Sequence, residues 1–156
     1  MESQFVSFEI GDATFLIPIE RVVEFRTWSE PTAVPHTPAY VRGIVNIRGE
    51  IVPIYDVSAR LGKGGTQAGS RHVVVIVRGN DGRSVGLLVD AVSEVVEIAA
   101  DMIEPPPNFG ATVRRDFIRG MGKYGGRFVI LLEPDRAFDV EEMAAICAAT
   151  PEAALA

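Results

Sequence analysis

Two stretches of this chain say nearly the same thing. "YVRGIVNIRGEIVPIYD" (residues 40–56) lies over "FIRGMGKYGGRFVILLE" (residues 117–133) without a gap, at an offset of seventy-seven. Arg42 meets Arg119, Gly43 meets Gly120, Gly49 meets Gly126 and Val52 meets Val129. At an offset of seventy, "FLIPIERVVEF" (15–25) sets against "VGLLVDAVSEV" (85–95), so that Val22 meets Val92 and Glu24 meets Glu94. The pairings keep their order on either side of "GKGGTQAGS" (62–70), which has no apolar residue larger than alanine and reads as a flexible linker. The pattern implies two homologous β modules, about 4–61 and 72–134. A unit of about 60 residues buries too little surface to be more than marginal alone. Two such units gain most by packing on each other, leaving a groove at the seam.

The modules read as β structure. "QFVSFEI" places Val6, Phe8 and Ile10 on one side of a period-2 pattern, and Gly11-Asp12 turns it into "ATFLIPI". "IERVVEF" suits a helical turn or a strand, and "SEPTAVPHTP" is a proline-rich loop. "GIVNI" and "EIVPIYDV" form a hairpin about Arg48-Gly49, and "HVVVIV" and "SVGLLVD" form another about "GNDG". "VSEVVEI" alternates, "PPP" breaks the chain, and "GRFVILLE" is a last strand. The tail differs: Asp139 with Glu142 has capping-box spacing, and Val140, Met143, Ala144 and Cys147 make an apolar stripe, so a helix is expected over about 139–149.

The two copies differ at one informative place. Gly49 and Gly126 recur because a tight hairpin needs a residue tolerant of positive φ. The residue before them is Arg48 in one copy and Gly125 in the other, so the turn itself does not call for arginine. Arg48 reads either as a solvated turn residue or as a planar five-donor group on a rigid hairpin, ready for a carboxylate.

Charge and composition exclude several classes. The net charge is −6 over 156 residues, and lysine and arginine nowhere cluster as nucleic-acid binding requires. Nearly half the residues are apolar and 23% charged, the balance of a folded protein rather than a disordered one. No apolar run has bilayer-spanning length, the N-terminus lacks the pattern of a signal peptide, and a single cysteine precludes an internal disulfide, so a cytoplasmic protein is expected.

Catalytic signatures are absent too. His36 sits in the proline loop and His72 at the mouth of a strand, neither with Cys or His at metal-ligand spacing, and Cys147 reads as a small core residue. Residues 120–125 match G-x-G-x-x-G, but a strand follows rather than a helix, so the glycines are explained by a hairpin and not by a dinucleotide site. Neither a metal nor a cofactor is expected. Open strand edges, a seam groove and no converging titratable groups point instead to recognition of other proteins.

"VRGIVNIRGEIVPIYDV" resembles the signature of CheW-type chemotaxis coupling proteins, with Asn46 to Gly49 and the following Val-Pro-Ile the most telling part. "FEIGDATFLIPIERVVEF", "EPTAVPHTPAYVRG", "VVVIVRGNDGRSVGLLVDAVSEVVEI" and "DFIRGMGKYGGRFVILLE" extend the likeness over nearly the whole chain. The resemblance implies an all-β fold of two SH3-like barrels sharing an apolar interface. It implies a non-enzymatic adaptor that links chemoreceptor cytoplasmic tips to the regulatory domain of a CheA-type histidine kinase, a monomer in isolation that joins rings within membrane-bound receptor arrays. Carried over, the receptor-facing positions are Val22, Glu24, Gly43 and Arg48, with Arg48 oriented by Glu24. Phe109 falls at an aromatic ring contact, while Glu104 replaces a basic residue found there in some members. Trp28 reads as a partly buried ring or a partner anchor. Two rival readings are a same-fold adaptor of a non-motility chemosensory pathway and a small-ligand or enzymatic barrel.

Overall fold

The computed structural model describes residues 2–37, 39–60, 69, 71–79, 82–105 and 118–133. Ten strands lie within them: β1 (Glu2–Ile10), β2 (Ala13–Pro18), β3 (Val22–Thr27), β4 (Val41–Ile47), β5 (Glu50–Asp56), β6 (Val73–Arg78), β7 (Ser84–Val89), β8 (Ala91–Ala99), β9 (Ile118–Tyr124) and β10 (Arg127–Leu132). One helical turn, α1 (Val57–Arg60), follows β5, and short 3-10 turns precede β3 and follow β8. Thus "IERVVEF" resolves into both of its readings, a 3-10 turn at Ile19–Arg21 and then a strand.

The strands form two five-stranded sheets. Sheet I has the order β8-β1-β2-β10-β9, and sheet II the order β3-β6-β7-β5-β4. Advancing each strand of sheet I by five places around the chain reproduces sheet II. The duplication seen in the sequence is therefore a duplication of topology, and it extends to register. The one parallel pair of each sheet matches: Leu131 opposite Leu16 corresponds to Ile54 opposite Gly86. Each sheet has a bulge at the same two places. Val23 and Ser93 are the extra residues on β3 and β8, and Arg42 and Arg119 those on β4 and β9. Even the isolated bridges correspond, Thr32 with Ile44 and Glu104 with Met121.

Each sheet draws strands from both sides of the 62–70 segment, because the β1–β2 hairpin pairs with β8 and β10 while β6–β7 pairs with β3 and β5. The two repeats exchange hairpins, which ties them together more firmly than a surface contact would. Between the sheets lies a shared apolar core that includes Phe8, Phe15 and Ile17 of sheet I with Ile44, Tyr55, Val75 and Leu87 of sheet II. Each sheet also curls around its own interior, Phe5, Leu16, Val96 and Leu131 in one and Val52, Ile54, Val74 and Ile76 in the other. The fold is all-β, two SH3-like barrels packed through an apolar interface.

Gly43 shows why one recurrent glycine recurs. At φ +143, a Cβ there would lie 2.4 Å from the Thr32 carbonyl oxygen, since the 31–32 segment crosses directly over β4. Gly120 meets the same crossing in the other repeat, where a Cβ would stand 2.5 Å from Ile103 Cγ2 and 2.9 Å from the Glu104 oxygen. The G-x-G-x-x-G match lies on β9 and enters the antiparallel hairpin with β10, as its sequence context implies. The expected helix over 139–149, with Cys147, lies outside the described residues, as do Phe109 and most of the 62–70 linker.

Candidate partner-docking site

The β3 edge and the β4–β5 turn come together at one rim of the sheet II barrel. On β3 the bulge at Val23 changes the direction of the residues after it. Val22 stays half-buried against the inter-sheet core, while Glu24 pairs across to Ile76 and so shares its barrel-interior face at the open end. Val23 and Phe25, the neighbours of Glu24 along β3, are exposed apolar residues, at 43% and 49%.

The β4–β5 turn has positive φ at both central residues, +51 at Arg48 and +85 at Gly49, the geometry of a type I′ hairpin. Asn46 Oδ1 accepts a 2.9 Å hydrogen bond from the Gly49 amide and holds the turn from inside. Its counterpart turn has Gly125 at φ +59 and Gly126 at φ +79. Arg48 thus occupies a left-handed position where a non-glycine residue costs roughly 1–2 kcal/mol, and where the other repeat keeps glycine. From there Arg48 reaches back to β3. Its Nη1 donates to Glu24 Oε1 at 3.3 Å and its Nη2 to Oε2 at 3.1 Å, a two-pronged fork.

The pair is an exposed one. The Arg48 side chain is 72% accessible and that of Glu24 23%. The hydrogen bond from Arg48 holds the Glu24 carboxyl below the usual carboxylate range, with the charges of Arg48 and Arg26 acting the same way. Arg26 Nη1 stands 3.5 Å from Glu24 Oε1, so one carboxylate is shared by two guanidiniums. Reading the sequence missed Arg26, because a charge two places along an edge strand looks like any solvated residue.

Four predicted positions thus divide into two roles. Glu24 and Arg48 meet directly, Val22 lies beside them on β3, and Gly43 is buried on β4, where it admits the crossing segment. Trp28 is half-buried on the sheet II interior, with Arg42 stacked 5.4 Å over its ring. Arg42 also approaches the buried Asp56, Nη1 to Oδ2 3.6 Å, and Asp56 caps α1 by accepting from the Ala59 amide at 3.3 Å. His72 is engaged on both ring nitrogens, Nδ1 accepting from the Gly69 amide at 3.0 Å and Nε2 facing Asp90 at 3.4 Å. Among the described residues no three His, Cys, Asp or Glu side chains group as metal ligands, and no helix is long and apolar enough to cross a membrane.

The family model for the CheW-like domain matches residues 4–142 of this chain. The chain belongs to the CheW-like family. The chemotaxis protein CheW of Rhizobium meliloti (strain 1021) is 40% identical over 139 residues, spanning 89% of this chain and 89% of that protein. The CheW of Klebsiella aerogenes is 33% identical over 143 residues, covering 92% and 86%. Among solved structures, the scaffolding protein TtCheW from Thermoanaerobacter tengcongensis superposes with a TM-score of 0.80 at 32% identity, covering 91% of each chain. CheW-like proteins are scaffolding adaptors of chemotaxis signalling rather than enzymes, and this CheW-like chain is a chemotaxis coupling adaptor.

Proposed function

We propose that this chain couples the cytoplasmic tips of transmembrane chemoreceptors to a CheA-type histidine kinase. The receptor docks on the β3 edge and the β4–β5 turn, over Val22, Glu24 and Arg48. Gly43 acts from beneath, by letting the 31–32 segment close over β4. Phe109 lies in the kinase-facing surface, and the protein, a monomer when isolated, is recruited into rings at membrane-bound receptor arrays.

One observation carries this reading. An arginine is kept in a strained turn position that its repeat counterpart fills with glycine, and it is held by a carboxylate while remaining mostly exposed. Strain retained on an exposed side chain is a feature of functional sites. The apolar neighbours Val23 and Phe25 give a docking helix surface to bury, and the charges set its choice and orientation. Individual contacts of this kind are modest in area, and an array gains its strength from many at once.

The test is Arg48→Glu. It should leave the thermal melt unchanged, because an exposed pair contributes little to stability, while co-sedimentation with receptor-containing membranes is lost. A variant that co-sediments as well as the wild type removes Arg48 from the receptor surface.

A further inference from the structure

The repeat places a second rim opposite the first, at the open end of the sheet I barrel, and its chemistry is altered. Glu94 follows the β8 bulge as Glu24 follows the β3 bulge, and Gly125 stands in the β9–β10 turn where Arg48 stands in its own. The carboxylate has been kept and its guanidinium removed. Among the described residues Glu94 has no cationic partner. The nearby cation, Arg127, is turned across the rim instead, with Nη1 3.7 Å from Glu9 Oε1 and Nη2 donating to Thr14 Oγ1 at 2.9 Å.

The backbone that carries Glu94 is nonetheless fixed. Ser7 Oγ lies 3.1 Å from both the Glu94 carbonyl oxygen and the Glu94 amide, where sheet II has the apolar Ile76. Glu94, Glu9, Tyr124, Gly125 and Arg127 line a hollow of about 160 Å³. That is smaller than the roughly 300 Å³ of the smallest ligand pockets, and it suits the head of one side chain rather than a small-molecule ligand. Tyr124, 39% exposed, lines the hollow and provides apolar surface within it.

We infer that the open end of the sheet I barrel is a second docking site, in which Glu94 receives an arginine side chain of a partner protein as Glu24 receives Arg48 within the chain. The two rims have opposite charge. Two carboxylates face one guanidinium around Glu94, whereas one carboxylate faces two guanidiniums around Glu24. They therefore select different partner groups. Arginine fits better than lysine because a free carboxylate is matched by a two-pronged donor, and because a guanidinium can stack on the Tyr124 ring.

The test is a titration of isotope-labelled protein, followed by amide NMR, with a capped Val-Arg-Val tripeptide and its citrulline isostere. The arginine peptide should give saturable shifts at Glu94, Tyr124 and Gly125, and the neutral isostere none. Glu94→Gln should weaken binding by about tenfold or more, the loss of one charge-assisted contact. Gly125→Arg restores the missing guanidinium at a backbone angle, φ +59, close to the φ +51 that Arg48 adopts, so it should fold and block the peptide from within. Equal shifts from both peptides, no saturable shift, or binding that survives both substitutions would overturn the inference.

Discussion

Replacing Arg48 by asparagine should make the protein more stable and deprive it of its receptor. The wild-type turn has φ +51 and +85 at its central residues, and Asn-Gly is the preferred pair for that geometry. Arginine in a left-handed position is disfavoured by roughly 1–2 kcal/mol, a term that asparagine largely escapes. Asparagine adds none of the unfolded-state freedom that glycine would, so the gain is not cancelled in the denatured chain. What is lost is an exposed ion pair, which contributes little. A net gain of about 1 kcal/mol raises Tm by about 2–4 °C for a chain of this size. Calorimetry and co-sedimentation with receptor membranes read the two effects separately. A Tm lower by several degrees would mean that the fork to Glu24 holds the fold together, and the separation of strain from stability would be wrong. A higher Tm with receptor binding intact would mean that the strain serves some other purpose.

Gly43→Ala should destabilise by roughly 2–3 kcal/mol, because the new Cβ meets backbone at 2.4 Å at a φ of +143; Gly120→Ala, whose nearest contact is a side-chain methyl, should cost less, and comparison of the two melts checks the difference. In Arg48→Asn the Glu24 carboxyl should titrate higher than in the wild type, measured by side-chain carbon NMR, since the Arg48 hydrogen bond is the leading cause of its depression. Its folded-state value lies below the unfolded one, so the stability it contributes is present above the unfolded-state value and lost as pH falls through the folded one. Asp56→Ala should lower stability by roughly 1–3 kcal/mol by removing the buried carboxylate that faces Arg42 and accepts from the Ala59 amide, and Asp56→Asn, which keeps an acceptor for that amide, should fall between it and the wild type in a denaturant melt.

The repeat was legible because both copies need the same turns and the same close approach. Gly43 and Gly120 answer to one crossing segment, and Gly49 and Gly126 to one turn geometry. The exchange of hairpins between sheets was not legible. A repeat says which residues are equivalent, and it leaves open whether β2 pairs within its own half or with β10 of the other. The bulges were hidden for a related reason: "VVEF" carries apolar residues on both faces, so periodicity cannot say that Val23 is the residue left out of the ladder. The Glu24–Arg48 fork joins a strand to a hairpin turn twenty-four positions away. Its partners came from family resemblance, and no spacing rule would have paired them.

Duplication explains how a small adaptor can carry sites of opposite character without two folds. The demands of folding fall on the positions the repeats share: bulges, crossing glycines, the parallel pair and the common core. Positions that face neither core are free to diverge, and the first residue of each hairpin turn is one of them. Glycine satisfies that turn at no strain, as Gly125 shows, so arginine at 48 is a departure from what the backbone favours. The exchanged hairpins keep such departures local. Because each sheet contains strands of both halves, a strained turn at one rim is braced by ten strands rather than five, and a cost of roughly 1–2 kcal/mol is small against the whole. Each rim is then a place where one residue sets the charge presented to a partner, on a frame that does not change with it.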